Sequence, residues 1–369
     1  MKANSQESLK VLHVIETLGA GGAERLLVTL LSELTREGVK AEVAVQRGPF
    51  DLRQELEYAG IPVHILPHRG KWSLLLAAQD LARLGMERKA HILHAHLYFP
   101  TIIVALSRWI KLWRGITAAT FHNQAYGGAN RAGMRLHLKK CLGRFLISRS
   151  IDLPQGVSQA VVNHYTAAYA LRDIYKVYNA IDLRVIQGIS KERGDAVVLP
   201  GRLVQEKGHH DLIAAIAQMP KPHPRVIFVG GGPMREAVEV EARESGVDVT
   251  FTGVLPYQKA LQVMAAARVV VIPSRFEGFG LTALEAMALG CPVVATTAGG
   301  LPEVLGDVGS VVPTGDVQAL SKSLQTALAD EAWRTRQSEM GPARAAHFSL
   351  PVIAKRQIEL YKAAMSKKQ

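Results

Sequence analysis

Two successive doubly wound α/β domains are what the sequence predicts. Three observations carry that reading. Strand-like apolar runs alternate with helix-like segments along most of the chain. The runs are apolar throughout rather than at every second residue, as in parallel sheets covered on both faces. The length, 369 residues, suits two hydrophobic cores at about 150 residues each.

The first series starts at residues 11–15, a run that ends in Gly19-Ala20-Gly21-Gly22. A helix is predicted from Ala23, with Leu26, Leu27, Leu30, Leu31 and Leu34 spaced by three and four, and Gly38 stops it. Further strands are predicted at 41–45, 63–66, 92–95, 117–121 and 153–157. A second series runs through 196–199, 225–229, 249–251, 269–272, 292–295 and 309–312. Helix-compatible segments at 208–219, 234–245, 257–267 and 281–289 separate these strands, and the domain junction falls between Val177 and Asp195. A last helix, 351–365, has no strand of its own. In open sheets of this kind ligands sit beyond the carboxyl ends of the strands, so the cleft between two such domains is the expected site.

Composition excludes several classes. At 48% hydrophobic and 21% charged, with 32 Gly against 17 Pro, the chain is neither collagenous nor wholly disordered. Its two cysteines, Cys141 and Cys291, cannot build a disulfide framework, a zinc ribbon or an iron–sulfur site, which suits a reducing compartment. The polar opening, residues 1–10, does not read as a signal peptide. The longest apolar stretch, 97–106, is half of the ~20 residues a membrane span needs. The expectation is a soluble or surface-bound protein.

Charge is unevenly distributed. Residues 1–180 carry 23 Lys and Arg against 13 Asp and Glu, a net +10, while residues 181–369 carry 21 against 19, a net +2. From Arg88 to Ile151 there are 11 basic residues and no acidic one. An anionic partner for the first half follows: nucleic acid, a lipid surface or a phosphorylated substrate.

Three loops carry chemistry. Glu277-Gly278-Phe279-Gly280-Leu281-Thr282-Ala283-Leu284-Glu285 follows a predicted strand and opens a helix. Its glycines let backbone approach a ligand and the helix start directs N–H groups at the loop, an anion seat. Glu285, one turn in, can accept from paired hydroxyls, and Glu277 lies in the loop itself; a surface acid and a helix-face acid explain each residue taken singly. Arg202 and Lys207 bracket a tight turn in Gly201-Arg202-Leu203-Val204-Gln205-Glu206-Lys207-Gly208, where a guanidinium fork and an ammonium suit a diphosphate, or are two plain surface cations. The third loop, residues 19–22, departs from the dinucleotide-dehydrogenase spacing. Glu24 stands where the third glycine belongs, and no acid ends the second strand near Gln46.

Taken together with His94-Ala95-His96, Thr120-Phe121-His122, Val157-Ser158 and Asn179-Ala180-Ile181-Asp182, these loops resemble the retaining nucleotide-sugar glycosyltransferases of glycosyltransferase family 4. The acid pair Glu277 and Glu285 is the most specific mark. The resemblance implies two Rossmann-like domains facing across a cleft (the GT-B fold). Residues 1–180 would bind the acceptor, residues 181–350 the nucleotide-sugar donor, and the helix in 351–369 would pack back on the first domain. It implies that Arg202 and Lys207 neutralise the donor diphosphate, that Glu285 clamps the ribose, and that Glu277 holds the donor sugar near its anomeric carbon. Phe279, Gly280 and Leu281 would offer backbone N–H groups. Gly21 and Gly22 would close on the donor, and His122 would contact the transferred sugar. No cofactor and no metal are expected, since the two cations supply the positive charge. His94 and His96 read as packing or substrate contacts rather than ligands.

The expected donor is a UDP-linked hexose or N-acetylhexosamine, and the expected acceptor a lipid-linked or polysaccharide precursor such as one for lipopolysaccharide. In the acid-free stretch, Arg135, Lys139 and Lys140 alternate with Leu136, Leu138, Leu142, Phe145 and Leu146, near Trp109 and Trp113. Residues 108–149 therefore read as a basic amphipathic surface for an anionic membrane, which places the protein in the cytoplasm on the inner face of the cytoplasmic membrane. An ordinary basic surface over a core helix remains the alternative. Nucleic acid is not an expected partner, because no reading motif accompanies the basic residues. A nucleotide-sugar epimerase of the same fold, or a binding sensor, are the competing classes.

Overall fold

The structure is a computed structural model and describes residues 8–19, 21–67, 74–124, 134–190 and 192–368; of residues 134–140 only the backbone is described. The chain divides into two compact units, residues 1–180 with 350–369, and residues 181–349.

The first unit holds β1 (Lys10–Ile15), α1 (Gly22–Arg36), β2 (Lys40–Val45), α2 (Arg53–Tyr58), β3 (Val63–Ile65), α3 (Leu74–Glu87), β4 (Ile92–His96), α4 (Tyr98–Trp109), β5 (Ile116–Phe121), α5 (Met134–Ser150), β6 (Leu153–Gly156), α6 (Gln159–Tyr169) and β7 (Tyr175–Lys176). The strands form one parallel sheet in the order β3-β2-β1-β4-β5-β6-β7. β4 and β5 are buried at every position because helices cover both faces. On α1 the predicted stripe turns inward, with Leu26, Leu27, Leu31 and Leu34 buried. The two-residue β7 carries no periodic signal and was not predicted.

The second unit holds α7 (Leu183–Gln187), β8 (Val197–Pro200), α8 (His209–Ala217), β9 (Val226–Val229), α9 (Arg235–Glu244), β10 (Val249–Phe251), α10 (Tyr257–Ala265), β11 (Val269–Ile272), α11 (Leu281–Ala288), β12 (Val293–Thr296), α12 (Leu301–Leu305), β13 (Ser310–Val312), α13 (Val317–Ala329) and α14 (Glu331–Ala346). The parallel order is β10-β9-β8-β11-β12-β13. Its core gathers Val197, Leu199, Phe228, Val269 and Val271 from the strands with Leu212, Ile216 and Leu324 from the helices. Asp316 and Asp330 accept from Ala319 and Trp333 backbone N–H groups and so begin α13 and α14. The last helix, α15 (Leu350–Ser366), belongs to the first unit and packs on α1.

Both sheets reverse their strand order once, between β1 and β4 and between β8 and β11. Beyond the carboxyl ends of such central pairs the following loops diverge to opposite faces and leave a crevice. The glycine loop follows β1, His96 ends β4, the Gly201–Gly208 loop follows β8, and the Glu277 loop follows β11.

Within residues 108–149 the described part of α5 does not divide into one apolar and one basic face. In α5, Leu142 and Phe145 face outward with Arg144 and Arg149, while Leu146 and Ile147 are buried. Apolar residues thus occupy both faces, and apolar and basic side chains share the outer one. Trp113 is also buried, its indole N–H donating to the Ile116 carbonyl at 3.1 Å, so only Trp109 of that pair lies exposed. Arg135, Lys139 and Lys140 lie among the residues whose side chains are outside the description.

Candidate functional site

In the second unit two loops lock together. The predicted helix at 208 is preceded by a single 3-10 turn, Gln205–Lys207, whose Glu206 carbonyl accepts from the Arg275 backbone N–H at 2.8 Å and the Phe276 N–H at 3.4 Å. Arg275 also grips buried Asp211 of α8 through two nitrogens, at 2.6 and 2.8 Å. Gly208 has φ +71°, and a Cβ there would meet the Pro273 carbonyl group. Only glycine lets the two loops approach so closely.

This docking brings Lys207 to Glu277: the ammonium donates to Oε2 at 2.6 Å, and the Ser274 hydroxyl lies 3.4 Å from the same oxygen. The sequence pointed to both residues but not to their pairing. Arg202 is exposed and makes no ion pair among the described residues, so its guanidinium is available to an anion. Behind the Glu277 loop stand Gly299 and Gly300, which the sequence reading passed over. Gly299 has φ +55°, and its Cβ would press into the Glu277 carbonyl; a Cβ on Gly300 would come within 2.9 Å of the Gly278 oxygen and the Phe279 Cα. Adjacent glycines just after the strand β12 were the available signal.

Gly280 is the N-cap of α11 at φ 106°, and no side chain caps the helix, so the first-turn N–H groups near Leu281 are open to a ligand. The Phe279 side chain points into the core, edge-on to Phe348, which leaves backbone as that residue's means of contact. Glu285 accepts from the Tyr257 hydroxyl at 2.8 Å. Removal from water pushes its carboxyl up to about 7, opposed in part by that hydrogen bond.

The first unit contributes a different chemistry. Gly21 caps α1, Gly22 is its first residue, and a Cβ on Gly22 would meet nothing within 4 Å. Glu24, in the third glycine's place, accepts from Thr17 at 2.9 Å. Alongside, four imidazoles gather from adjacent strands. His13 Nδ1 lies 3.0 Å from His96 Nε2, and His96 Nδ1 lies 3.4 Å from Nε2 of His122. His94 contacts the Tyr361 hydroxyl of α15 at 2.5 Å and Thr120 at 2.8 Å. His13 was not singled out from sequence; one histidine in an apolar strand gives no signal until β1 pairs with β4 and sets it opposite His94. Burial lowers all four imidazoles, His122 to about 4, so they are neutral at pH 7.

His13, His94 and His96 each offer a nitrogen within 4.8 Å of the others. Both nitrogens of His94 and both of His96 already have hydrogen-bonding neighbours, which suits a packed polar column better than a ligand set. A cavity of about 270 Å³ is lined by Arg108, Asp152, Tyr175, Leu360 and Lys368. It touches Ile116, Leu153 and Tyr175, the first residues of their strands. That is the amino end of the sheet, opposite the end where such folds bind ligands.

Two doubly wound units, each with glycine-rich or charged loops beyond its own switch point, are the architecture of GT-B glycosyltransferases. Family comparison agrees. The model described as Glycosyltransferase Family 4 matches residues 20–185 and that described as Glycosyl transferases group 1 matches residues 184–344, and the chain belongs to this glycosyltransferase family. It is 37% identical over 175 residues to a D-inositol 3-phosphate glycosyltransferase of Corynebacterium urealyticum, covering 44% of this chain and 41% of the relative. It is 29% identical over 253 residues to a GDP-mannose-dependent monoacylated alpha-(1-6)-phosphatidylinositol monomannoside mannosyltransferase of Corynebacterium glutamicum, covering 62% and 64%. The alignments therefore span less than two thirds of these relatives' lengths. In fold the chain is similar to Anabaena Alr3699/HepE, crystallised with UDP, at TM-score 0.81 and 23% identity over 96% of this chain and 100% of that one.

Proposed function

We propose that the protein is a retaining glycosyltransferase that moves a hexose or N-acetylhexosamine from a nucleotide diphosphate sugar to a lipid-linked or polysaccharide-precursor acceptor. The observation that carries the reading is the Lys207–Glu277 pair held beside the open N-terminus of α11. Lys207 has three donors, so it can keep Glu277 oriented while also facing a diphosphate. Arg202, without an ion pair among the described residues, adds the second positive charge, and Leu281 with Gly280 supplies backbone N–H groups. Glu285 takes the ribose hydroxyls, and Glu277 takes a hydroxyl of the donor sugar. Gly21, Gly22 and His122 contribute further sugar contacts, as the family resemblance implies.

As the bond from C1 to the phosphate oxygen breaks, charge grows on the leaving phosphate where Arg202 and Lys207 stabilise it. The acceptor oxygen bonds to C1 on the same face, and its proton passes to the departing phosphate oxygen. A base from the protein is not required, and the cations take the role a metal would otherwise fill. Glu277 and Glu285 do not form the acid–nucleophile pair of a glycosidase: one serves the sugar and the other the ribose.

The proposed donor nucleotide is UDP, as in the HepE complex, whereas one relative is named for GDP-mannose. A lipid-linked acceptor is supported by the phosphatidylinositol mannoside named for one relative. It is supported also by the outer face of α4 and α5, where Trp109 and Phe145 meet edge-on at 4.8 Å and Arg149 covers the Phe145 ring. Leu142 of α5 and Leu112, three residues past the end of α4, are exposed as well. Aromatic and basic groups exposed together suit the interface of an anionic membrane on its cytoplasmic side.

The test is a donor panel incubated with lipid-extract acceptors, read as nucleoside diphosphate released. Glu277→Ala is expected to lower turnover while nucleotide still binds, and Glu285→Ala to abolish binding first. Equal, small effects from both would count against the assignment, and donor epimerised without any acceptor would move the protein to another enzyme class.

A further inference from the structure

The buried histidines His13, His94 and His96 and the half-buried His122 of the first unit are more ordered than packing requires, because their hydrogen bonds determine which nitrogens carry protons. A neutral imidazole has one N–H and one bare nitrogen. The Tyr361 hydroxyl is buried and its ring faces His94 edge-on, so its O–H donates to His94 Nδ1, which is therefore bare. His94 Nε2–H then donates to Thr120 Oγ1, and the Thr120 hydroxyl donates to Gln155 Oε1 at 3.2 Å. The chain is consistent from both ends.

The second row, His13–His96–His122, admits two directions. Its end atoms, His13 Nε2 and His122 Nδ1, are both buried and have no hydrogen-bond partner among the described residues. If the row runs inward, a bare N–H is stranded on His13 in the middle of the sheet, where the residue has no exposed surface. If it runs outward, the unpaired N–H is on His122, which lines a small pocket together with Gln357, Tyr178 and Asn179. Buried donors are almost always satisfied, and of the two ends, among the described residues, it is the pocket end that has room for an oxygen atom. A second observation points to the same place. The side-chain Nε2 of Gln357, on α15, is also buried with no partner among the described residues, and Gln357 lines that pocket. Two unpaired donors there await one class of atom, an acceptor oxygen.

We propose that His13 and His96 are positioning residues that hold His122 as the Nδ1–H tautomer, making it a neutral hydrogen-bond donor to an oxygen of the bound ligand and not a base. The ligand part rests on the glycosyltransferase reading above, where the oxygen is a sugar hydroxyl. The tautomer part does not, and it can be tested with no substrate present.

The experiment is nitrogen-15 spectroscopy of the full chain labelled at histidine, at pH 7, with the His122 signals assigned by their loss in His122→Gln. Wild type is expected to show His122 with Nδ1 protonated and Nε2 bare, and His94 with the reverse. In His13→Phe the first donor is gone, so His96 is released and His122 is expected to become a mixture of tautomers. A wild-type His122 protonated at Nε2 overturns the proposal without any variant having to fold. An unchanged, single tautomer in folded His13→Phe overturns the role of His13. Failure of the donor panel with the expected tautomers present would instead strike the glycosyltransferase reading.

Discussion

Replacing Gly299 by alanine tests whether the Glu277 loop must sit where it does. The ideal Cβ falls 2.7 Å from the Glu277 carbonyl carbon and closer still to its oxygen, whereas ordinary contact begins near 3.4 Å. The loop must therefore retreat by at least 0.7 Å, the difference between those two distances, and further to clear the oxygen. Misplacing a reacting group by about 1 Å costs on the order of a hundredfold in rate. The φ of +55° adds conformational strain of about 1 kcal/mol. Gly315 separates the two effects: its φ is +79°, but a Cβ there meets nothing within 4 Å. Gly315→Ala is expected to lose about 1 kcal/mol of stability and no turnover. Gly299→Ala is expected to lose about a hundredfold in nucleoside diphosphate release while still melting cooperatively. Turnover within twofold of wild type in folded Gly299→Ala would refute the reasoning, because the loop would then be free to move without consequence.

Glu285 holds its proton up to about pH 7 in the folded chain but only to 4.5 when unfolded. The folded state therefore binds more protons between those values, and stability falls as pH rises through that window. Relative to wild type, Glu285→Gln is expected to gain at most about 3 kcal/mol between pH 4 and pH 8 in thermal melts; parallel curves would contradict the burial argument. Because ribose hydroxyls call for the ionised carboxylate, UDP titrated at pH 6 should release close to one proton, read from calorimetry in buffers of different ionisation heat. Lys207→Met is expected to weaken UDP binding about ten- to a hundredfold, the loss of a charged hydrogen bond; an unaltered titration would remove Lys207 from the diphosphate site. Trp109→Ser combined with Phe145→Ser should cut binding to phosphatidylglycerol vesicles about tenfold, and no change in co-sedimentation would end the membrane reading.

The alternation of strands and helices was legible because a strand buried on both faces must be apolar at every position, and 269–272 and 292–295 are. Arg202, Lys207, Glu277 and Glu285 were singled out because their motifs follow directly on such strands, in the loops or, for Glu285, in the first turns of the helix that the loop opens. Trp113 misled, since an indole beside basic residues looks the same in sequence whether it faces water or core. The two-residue β7 and the mixed outer face of α5 carry no local periodicity to read.

What the sequence determined by itself is therefore local: which segments are strands, which loops hold glycine and charge, and in what order they come. Only the tertiary structure decided which of them meet. The Lys207–Glu277 pair spans 70 positions and His94–Tyr361 spans 267. Gly299 supports a loop more than twenty residues before it. Such contacts depend on the crossover that sets β11 beside β8 and on the return of α15 to α1, and a pattern of neighbours along the chain holds no record of either.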